Sequence, residues 1–514
     1  MSDSPSAPCV PDFWFEPFPW VNGAWRRVDA DIPVQDPATT RVLARVGSAC
    51  VRTLEDAVAG AVRAQRGWAA ESASHRSRIL RRIGDLLLAQ ASRYASLLSA
   101  EQGKPLAQAL AEVDYAASFF HWYAEECRRV SARVVPHPEP GRNWIVERIP
   151  CGVAGLFTPW NFPLAQGAKK LSAALAVGCA TVWKPSEWTP LVALAMAPLL
   201  EEAGVPSGVV QIVPGDGPLI GGFLAAHPGV RVLSLTGSSA TGSALMAAAA
   251  PGIKRLSLEL GGNAPVLVLP DADLGFVADQ IVRMKLFVSG QVCVTANRIF
   301  VPQTREQALR DALVEKLMAA RVGSAFVPEV QAGPLIHPKA CRRVEALVAE
   351  SLRSGARIVC ENRSHERDPH GGVGSYFPPM VVEGVRDEMP LAKEEVFGPV
   401  LSLLSYQTVP EAVERANATD HGLAGFVYGT DLAECAAVAG RLEVGIVGVN
   451  EWRPLKAEIP FGGVKRSGMG SEGGEEGLRE FVDTRVVSMP SKSPGIEAPG
   501  IETPGIETPG KGRA

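Results

Sequence analysis

The sequence lacks an excess of positive charge and an apolar run long enough to cross a bilayer. Its 514 residues include 51 Lys and Arg against 55 Asp and Glu, a net charge of −4, so it offers no basic surface for nucleic acid. The apolar stretch LSAALAVGCATVW is too short to span, and the N-terminus lacks the basic and apolar regions of a secretory signal. We therefore predict a cytoplasmic protein without membrane or nucleic-acid partners.

Paired cysteines and clustered histidines are also missing. The nine cysteines are scattered from Cys9 to Cys435 with no CxxC pair, and the eight histidines form no HExxH motif. This distribution argues against a disulfide framework and against a structural zinc site. We predict a reducing compartment and no metal site.

Apolar strands and helices alternate along most of the chain. Residues 53–129 form successive amphipathic helical patterns, and from about residue 152 short strands such as GVAGLFTP, ATVWKPS and VRVLSLTGS alternate with helices. This alternation predicts a doubly wound parallel α/β domain, which binds ligands beyond the carboxyl ends of its strands. Residues from about 275 to 465 predict a second α/β domain.

Three other segments differ from these domains. Residues 130–150 predict two strands around a Pro-Gly turn, a hairpin that is marginal alone in water and is therefore expected to pack on another element. Residues 490–514 repeat a PGIE[AT] unit, whose Pro-Gly breaks predict disorder, with a partner-docking peptide as the alternative. Residues 1–12 are predicted to be similarly flexible.

Three short motifs hold polar groups suited to catalysis or cofactor binding. Cys293 in GQVCVT is either a core thiol or a nucleophile. Gly237 and Gly242 of TGSSATG straddle a strand-to-helix turn, where free N–H groups can bind a phosphate. KPSE places Lys184 and Glu187 after a strand, where Glu187 either accepts ribose hydroxyls or forms a surface ion pair.

Two further positions hold a carboxylate and an amide in apolar surroundings. Glu259 lies in the apolar segment SLELGGNAP, where burial would raise its pKa and suit it to general-base work; an edge-strand glutamate facing water is the alternative. Asn161 lies between aromatic residues in TPWNFP, where a buried amide needs partners or a ligand oxygen.

The motifs TPWNFP, KPSE, TGSSATG, LELGG, GQVC, EEVFGPV and IPFGGVKRSG, in this order, resemble the aldehyde dehydrogenase superfamily across nearly the whole folded chain. Within this superfamily, the sequence most resembles the succinate-semialdehyde dehydrogenase-like branch. The resemblance implies that residues 13–129 and 151–270 bind NAD, that residues 271–478 are catalytic, and that residues 130–150 with 479–489 form a small β oligomerisation element.

The resemblance also implies roles for individual residues. Cys293 matches the nucleophile, Glu259 the base that activates water, and Asn161 the amide that forms the oxyanion hole with the Cys293 N–H. Eight positions match cofactor-binding residues: Trp160, Lys184, Glu187, Gly237, Ser238, Leu260, Glu395 and Phe397. Retention of Glu259 favours hydrolysis of the thioester over transfer to coenzyme A.

The same matches to the family imply which cofactor and which substrate the protein uses. The Glu187 carboxylate favours the ribose hydroxyl of NAD over the 2′-phosphate of NADP, although Lys184 leaves NADP possible. Where family members hold succinate semialdehyde with two arginines and a serine, this chain has Lys169, Phe287 and, near the third position, Leu455. With Trp452 and Arg453 nearby, we expect a larger or more apolar aldehyde, aromatic or medium-chain, with any anionic group met by Lys169 or Arg453.

Several alternatives remain open. Besides the oxidation of a larger or more apolar aldehyde, the chain is compatible with a succinate-semialdehyde dehydrogenase proper, with a phosphorylating semialdehyde reductase and with a non-catalytic NAD-binding member of the family, since a fold alone does not prove activity. Thr295 occupies the position where some members carry a second cysteine, so that redox switch is absent. A homodimer or homotetramer is expected, because subunit pairing would cover strand edges.

Overall fold

The computed structural model describes residues 13–364 and 374–491. The predicted flexible segment 1–12 and residues 492–514 of the predicted tail lie outside the described residues. The described chain divides into one unit that runs to Arg129 and from Pro150 to Val482, and a second unit of Val130–Ile149 and the residues from Asp483. The first unit contains all the candidate site residues.

The helices follow the amphipathic patterns. Helix α5, for example, has Pro163 at its first position and ends at Gly178, whose φ of 97° is the left-handed conformation that glycine adopts without strain. The α-helices of the described residues are α1 Val51–Ala70, α2 Ala73–Ala89, α3 Ala91–Gln102, α4 Leu106–Glu126, α5 Pro163–Val177, α6 Leu191–Glu202, α7 Gly217–Ala226, α8 Ser239–Ala249, α9 Leu274–Leu286, α10 Glu306–Ala319, α11 Pro338–Arg353, α12 Pro390–Lys393, α13 Val409–Asn417, α14 Leu432–Ala439 and α15 Glu476–Arg479.

Most strands are short apolar runs. The strands of the described residues are β1 Trp20–Val21, β2 Ala24–Trp25, β3 Asp31–Gln35, β4 Val42–Gly47, β5 Arg133–Pro136, β6 Arg142–Pro150, β7 Val153–Phe157, β8 Ala180–Lys184, β9 Val210–Ile212, β10 Val230–Thr236, β11 Arg255–Glu259, β12 Pro265–Val268, β13 Arg298–Pro302, β14 Arg357–Glu361, β15 Met380–Glu383, β16 Val400–Tyr406, β17 His421–Gly422, β18 Ala424–Tyr428, β19 Ile446–Val449, β20 Val464–Lys465, β21 Gly468–Met469 and β22 Val482–Pro490.

Two large sheets form the first unit. The first has the strand order β2-β1-β9-β8-β7-β10-β11-β21, with parallel pairing from β9 to β11, and the second has the order β14-β15-β16-β13-β12-β18-β19, parallel from β15 to β19. Their parallel strands are almost entirely buried, as expected for strands covered by helices on both faces. The predicted α/β fold class with parallel sheets is therefore confirmed, whereas the division of these sheets into two domains stays a prediction.

Residues of the second unit lie in a three-stranded sheet of order β22-β6-β5. The predicted hairpin is present as β5 and β6, which pair antiparallel. The last strand, predicted over residues 479–489, instead begins at Val482, because α15 ends at Arg479. Pro490, predicted to begin the disordered tail, ends this strand. Among the described residues, no helix combines the length and apolarity needed to cross a membrane.

Candidate active site

The ends of four neighbouring parallel strands bring the predicted site residues into one region. Lys184 ends β8, Glu259 ends β11, and the register pairs them with Phe157 of β7 and Thr236 of β10, respectively. Asn161 follows β7 within a few residues, and Gly237 and Ser238 follow β10 directly. Because parallel strands end at the same edge, motifs far apart in sequence converge.

A cleft at this edge, here called the strand-end cleft, spans about 1220 Å³, including the solvent at its mouth. The predicted residues that line it are Trp160, Asn161, Gly237, Ser238, Glu259, Leu260, Cys293, Glu395 and Phe397. Lys184 and Glu187 do not line it. Their side chains instead form an ion pair of 2.7 Å, with the Glu187 side chain 46% exposed.

A strained turn presents Cys293 to the cleft. Val288, Ser289 and Gly290 all have positive φ values, of 48°, 55° and 74°, which is unfavourable for a β-branched residue such as Val288. A Cβ at Gly290 would lie 2.3 Å from the Gly398 carbonyl oxygen, so only glycine fits there. Cys293 itself is half-buried in the loop between this turn and β13, not in a strand.

The surroundings of Cys293 favour the neutral thiol. Burial raises the pKa of the Cys293 thiol well above its ordinary value, the carboxylates of Glu259 and Glu395 act in the same direction, and the Lys169 ammonium opposes them. A thiolate here therefore depends on Lys169 and on bound ligands for its stabilisation.

Glu259 is almost fully buried, with 2% of its surface exposed, so it is not a glutamate facing water. Neither carboxylate oxygen makes a full hydrogen bond, although the Cys293 thiol is close enough to interact with it. Burial and the nearby Glu472 raise the pKa of Glu259 to about 7, against the lowering effect of Lys169 and Lys170. A carboxyl group with this pKa is suited to accept a proton near neutral pH.

Asn161 is buried beside Cys293, and its side-chain amide is fixed from one side. Its Nδ2 donates one hydrogen to the Gln291 carbonyl at 2.9 Å. Because a side-chain amide has two N–H donors, one remains for a ligand oxygen.

Glu395 and Phe397 also line the strand-end cleft. Glu395 accepts a hydrogen bond from the Gly262 N–H at 3.2 Å, and burial raises the pKa of its carboxyl to about 7 despite this bond. The Phe397 ring meets the Trp160 ring edge-on, with 5.4 Å between centroids. Sequence reasoning missed Arg343, which lines the cleft and donates to the carbonyls of Glu395 and Val396 at 2.7 and 3.0 Å.

A second cavity, here called the aromatic cavity, is also lined by Cys293 and spans about 710 Å³, including the solvent at its mouth. Phe287 stands at its centre, with its ring 5.7 Å from Phe162 and 5.6 Å from Trp452. The Arg453 guanidinium lies 4.9 Å from the Phe287 ring centroid. Of the aromatic lining residues that the sequence did not predict, Phe162 lies in the TPWNFP motif and Phe461 in the IPFGGVKRSG motif, whereas Tyr115 lies in none of the motifs.

Lys169 also lines the aromatic cavity, but its charge is already paired. Its Nζ lies 3.3 Å from a carboxylate oxygen of Glu472 and 4.1 Å from the Phe461 ring centroid. Lys170 pairs with the same carboxylate and is fully buried. Glu472, also missed by sequence reasoning, lies among several glycines and glutamates whose pattern gives no sign of burial.

The strand-end cleft fits a nicotinamide dinucleotide. The N-terminus of α8 opens on it at Gly237 and Ser238, and aligned N–H groups at a helix start suit a pyrophosphate. The Glu395 carboxylate inside the cleft and that of Glu187 at the end of a neighbouring strand are acceptors suited to ribose hydroxyls. This geometry defines a class of protein: a doubly wound α/β enzyme whose reactive thiol lies between a dinucleotide-binding cleft and an aromatic cavity.

Comparison with known proteins narrows this class. Residues 25–487 match the aldehyde dehydrogenase family. The mitochondrial succinate-semialdehyde dehydrogenase of Arabidopsis thaliana is 41% identical over 458 residues, 89% of this chain and 86% of that protein. The 3-sulfolactaldehyde dehydrogenase of Pseudomonas putida is 39% identical over 476 residues, 91% of this chain and 96% of that protein.

A solved structure shows the same similarity. Betaine aldehyde dehydrogenase from Staphylococcus aureus, in complex with NAD+, has a TM-score of 0.90 at 30% identity, covering 94% of this chain and 96% of that one. The chain therefore belongs to the aldehyde dehydrogenase family and is an NAD(P)-dependent oxidoreductase that acts on aldehydes. This confirms the resemblance found in the sequence, including its similarity to succinate-semialdehyde dehydrogenases.

Proposed function

We propose that Cys293 is the nucleophile, Glu259 the base and Asn161 the oxyanion donor in the oxidation of an aldehyde to its carboxylic acid. The observation that carries this proposal is the position of Cys293, which lines both the strand-end cleft and the aromatic cavity. A thiol at this junction is accessible to a cofactor from one side and to an aldehyde from the other. Glu259 and Asn161 line the cleft beside it.

The proposed reaction proceeds through a covalent intermediate on Cys293. The thiolate adds to the carbonyl carbon, and the oxygen that becomes negative is stabilised by the free Asn161 N–H and the Cys293 backbone N–H, a contribution of about 3 kcal/mol per donor. NAD(P) held in the strand-end cleft would supply the hydride acceptor, and loss of a hydride from this carbon would leave a thioester on Cys293. Glu259 then takes a proton from the water that attacks the thioester, and the acid is released.

Among the residues that we propose to contact the cofactor, Glu187 supports NAD as the preferred cofactor. The other proposed cofactor contacts are Trp160, Lys184, Gly237, Ser238, Leu260, Glu395 and Phe397. The half-exposed Glu187 carboxylate repels a 2′-phosphate and accepts a 2′-hydroxyl. The 2.7 Å ion pair with Lys184 reduces this repulsion without removing it. Comparison of kcat/KM for the two cofactors tests the preference, and a higher value with NADP would contradict it.

The aromatic cavity supports an aromatic or medium-chain aldehyde as substrate. Phe287 and Trp452 supply an apolar wall, and a distal anionic group would meet Arg453, because no carboxylate of the described residues forms an ion pair with this guanidinium. Lys169 is less suited to this role, since it already forms an ion pair with Glu472, a carboxylate that it shares with Lys170. A semialdehyde is the second candidate substrate, because two of the relatives are named for succinate semialdehyde and 3-sulfolactaldehyde.

A panel of aldehydes tests the reaction and the substrate together. We would follow NAD reduction by the wild-type enzyme and by Cys293→Ala with benzaldehyde, 4-carboxybenzaldehyde, hexanal and succinate semialdehyde. We expect turnover to vanish in the variant while NAD still binds, and the aromatic aldehydes to give the highest kcat/KM. Turnover that persists in Cys293→Ala would contradict the thiol mechanism, and a highest kcat/KM with succinate semialdehyde would contradict the proposed substrate class.

We further propose that the enzyme is a cytoplasmic homodimer or homotetramer. The sheet β22-β6-β5 has exposed apolar side chains, including Val134 at 65% and Val486 at 59%. Unpaired strand edges with such residues are suited to pairing with another copy. Light scattering is expected to give at least twice the mass of one chain, and a monomer mass would contradict this assembly.

A further inference from the structure

A buried ion pair lies behind the segment that carries Asn161. Lys104 in the loop before α4 pairs with Glu112 of α4, and their side chains are 0% and 1% exposed. Neither residue lines the strand-end cleft or the aromatic cavity. The reaction steps above therefore make no use of them.

This pair holds the segment 161–165 at both ends. Lys104 Nζ donates to the backbone carbonyl of Asn161 at 2.6 Å and lies 4.4 Å from the Phe162 ring centroid. Glu112 Oε1 accepts the N–H groups of Leu164 at 3.0 Å and Ala165 at 3.1 Å, in the first turn of α5. These amides have no acceptor within the helix, so Glu112 fixes where α5 begins.

We propose that Lys104 and Glu112 are positioning residues that hold Asn161 in register with the developing oxyanion on Cys293. The inference rests on the proposed role of Asn161. A buried ion pair is a poor source of net stability, because removal of its charges from water offsets much of their attraction. Its two ends instead contact the backbone on either side of the aromatic Phe162, and a displacement of about 1 Å at a reacting group can lower a rate by about 100-fold.

The test is a double-mutant cycle between the pair and Asn161. The combined variant Lys104→Met/Glu112→Gln removes both charges, and the new amide side chain keeps a carbonyl oxygen for the start of α5, so no buried charge is left unpaired. We expect kcat for benzaldehyde to fall by about 100-fold, with KM for NAD within two-fold of the wild type. In an Asn161→Ala background the same two substitutions should lower kcat by less than about three-fold, because the amide they position is gone.

Three results would overturn the inference. Equal losses of kcat in both backgrounds would show that the pair does not act through Asn161. A wild-type kcat in Asn161→Ala would remove the proposed role of Asn161 and the positioning role with it. A change of more than two-fold in alkylation of Cys293 by iodoacetamide, measured without cofactor, would show general damage to the site.

Glu101→Gln provides a matched control. Glu101 is also fully buried and also accepts two N–H groups at the start of a helix, those of Leu191 and Val192 next to α6, at 2.8 and 2.9 Å. Because this helix start carries none of the proposed catalytic residues, we expect kcat within two-fold of the wild type even if the melting temperature falls. A loss as large as that of the combined variant would overturn the inference.

Discussion

The raised pKa of Glu259 predicts how thioester hydrolysis depends on pH. Burial and Glu472 raise the pKa of this carboxyl from 4.5 to about 7, although Lys169 and Lys170 act against them, a change of about 3 kcal/mol in favour of the protonated form. Only the ionised form can accept a proton from water. About a tenth of Glu259 is ionised at pH 6 and about nine-tenths at pH 8, so hydrolysis should become nearly ten-fold faster over this range.

A cofactor-free ester assay isolates this step. p-Nitrophenyl acetate should acylate Cys293 in an initial burst, and the slower phase that follows reports hydrolysis of the thioester. Only this phase is compared, because acylation also depends on ionisation of the thiol. We expect the slower phase to rise with pH through about 7, and Glu259→Gln to lower it by about 100-fold or more and to remove the rise.

Glu395 is the matched control for this prediction. Burial raises the pKa of its carboxyl to about 7 as well, but it acts on the Cys293 thiol only through its charge, whereas Glu259 lies within hydrogen-bonding reach of this thiol. Glu395→Gln should therefore leave the pH dependence of the slower phase in place. A slower phase that is constant between pH 6 and 8, or a rise that persists in Glu259→Gln and disappears in Glu395→Gln, would refute the assignment of the base.

Three further outcomes are expected. Glu187→Gln should raise kcat/KM with NADP relative to NAD by about ten-fold, because a repulsive charge is removed; an unchanged ratio would exclude this residue from cofactor choice. Arg453→Gln should raise KM for 4-carboxybenzaldehyde by about ten-fold, through loss of a charge-assisted contact, with benzaldehyde as the unaffected control; equal effects on both would contradict the anion contact. Lys170→Met should lower the free energy of unfolding by about 2 kcal/mol, because the buried Glu472 loses one charge-assisted hydrogen bond and keeps only Lys169 as an ion-pair partner, and an unchanged urea midpoint would contradict this.

Local patterns in the sequence were sufficient for the fold class and for most of the residues around the cleft. Alternation of short apolar strands with helices predicts parallel sheets, and the residues that follow such strands meet at one edge. Asn161, Ser238 and Glu259 could therefore be placed near one another from their positions after predicted strands. The family resemblance added Cys293, whose hexapeptide alone favours a core thiol over a nucleophile.

The tertiary structure decided which charges are free and which are paired. Lys169 and Arg453 both looked available to an anionic substrate, but Glu472, about 300 residues from Lys169, forms an ion pair with Lys169 and not with Arg453. The Lys104–Glu112 pair, likewise, acts on Asn161 across 57 residues of sequence. Propensity, periodicity and motif chemistry are local properties and can be read from neighbouring residues, whereas burial, ion pairing and the resulting pKa values arise only when distant segments pack together.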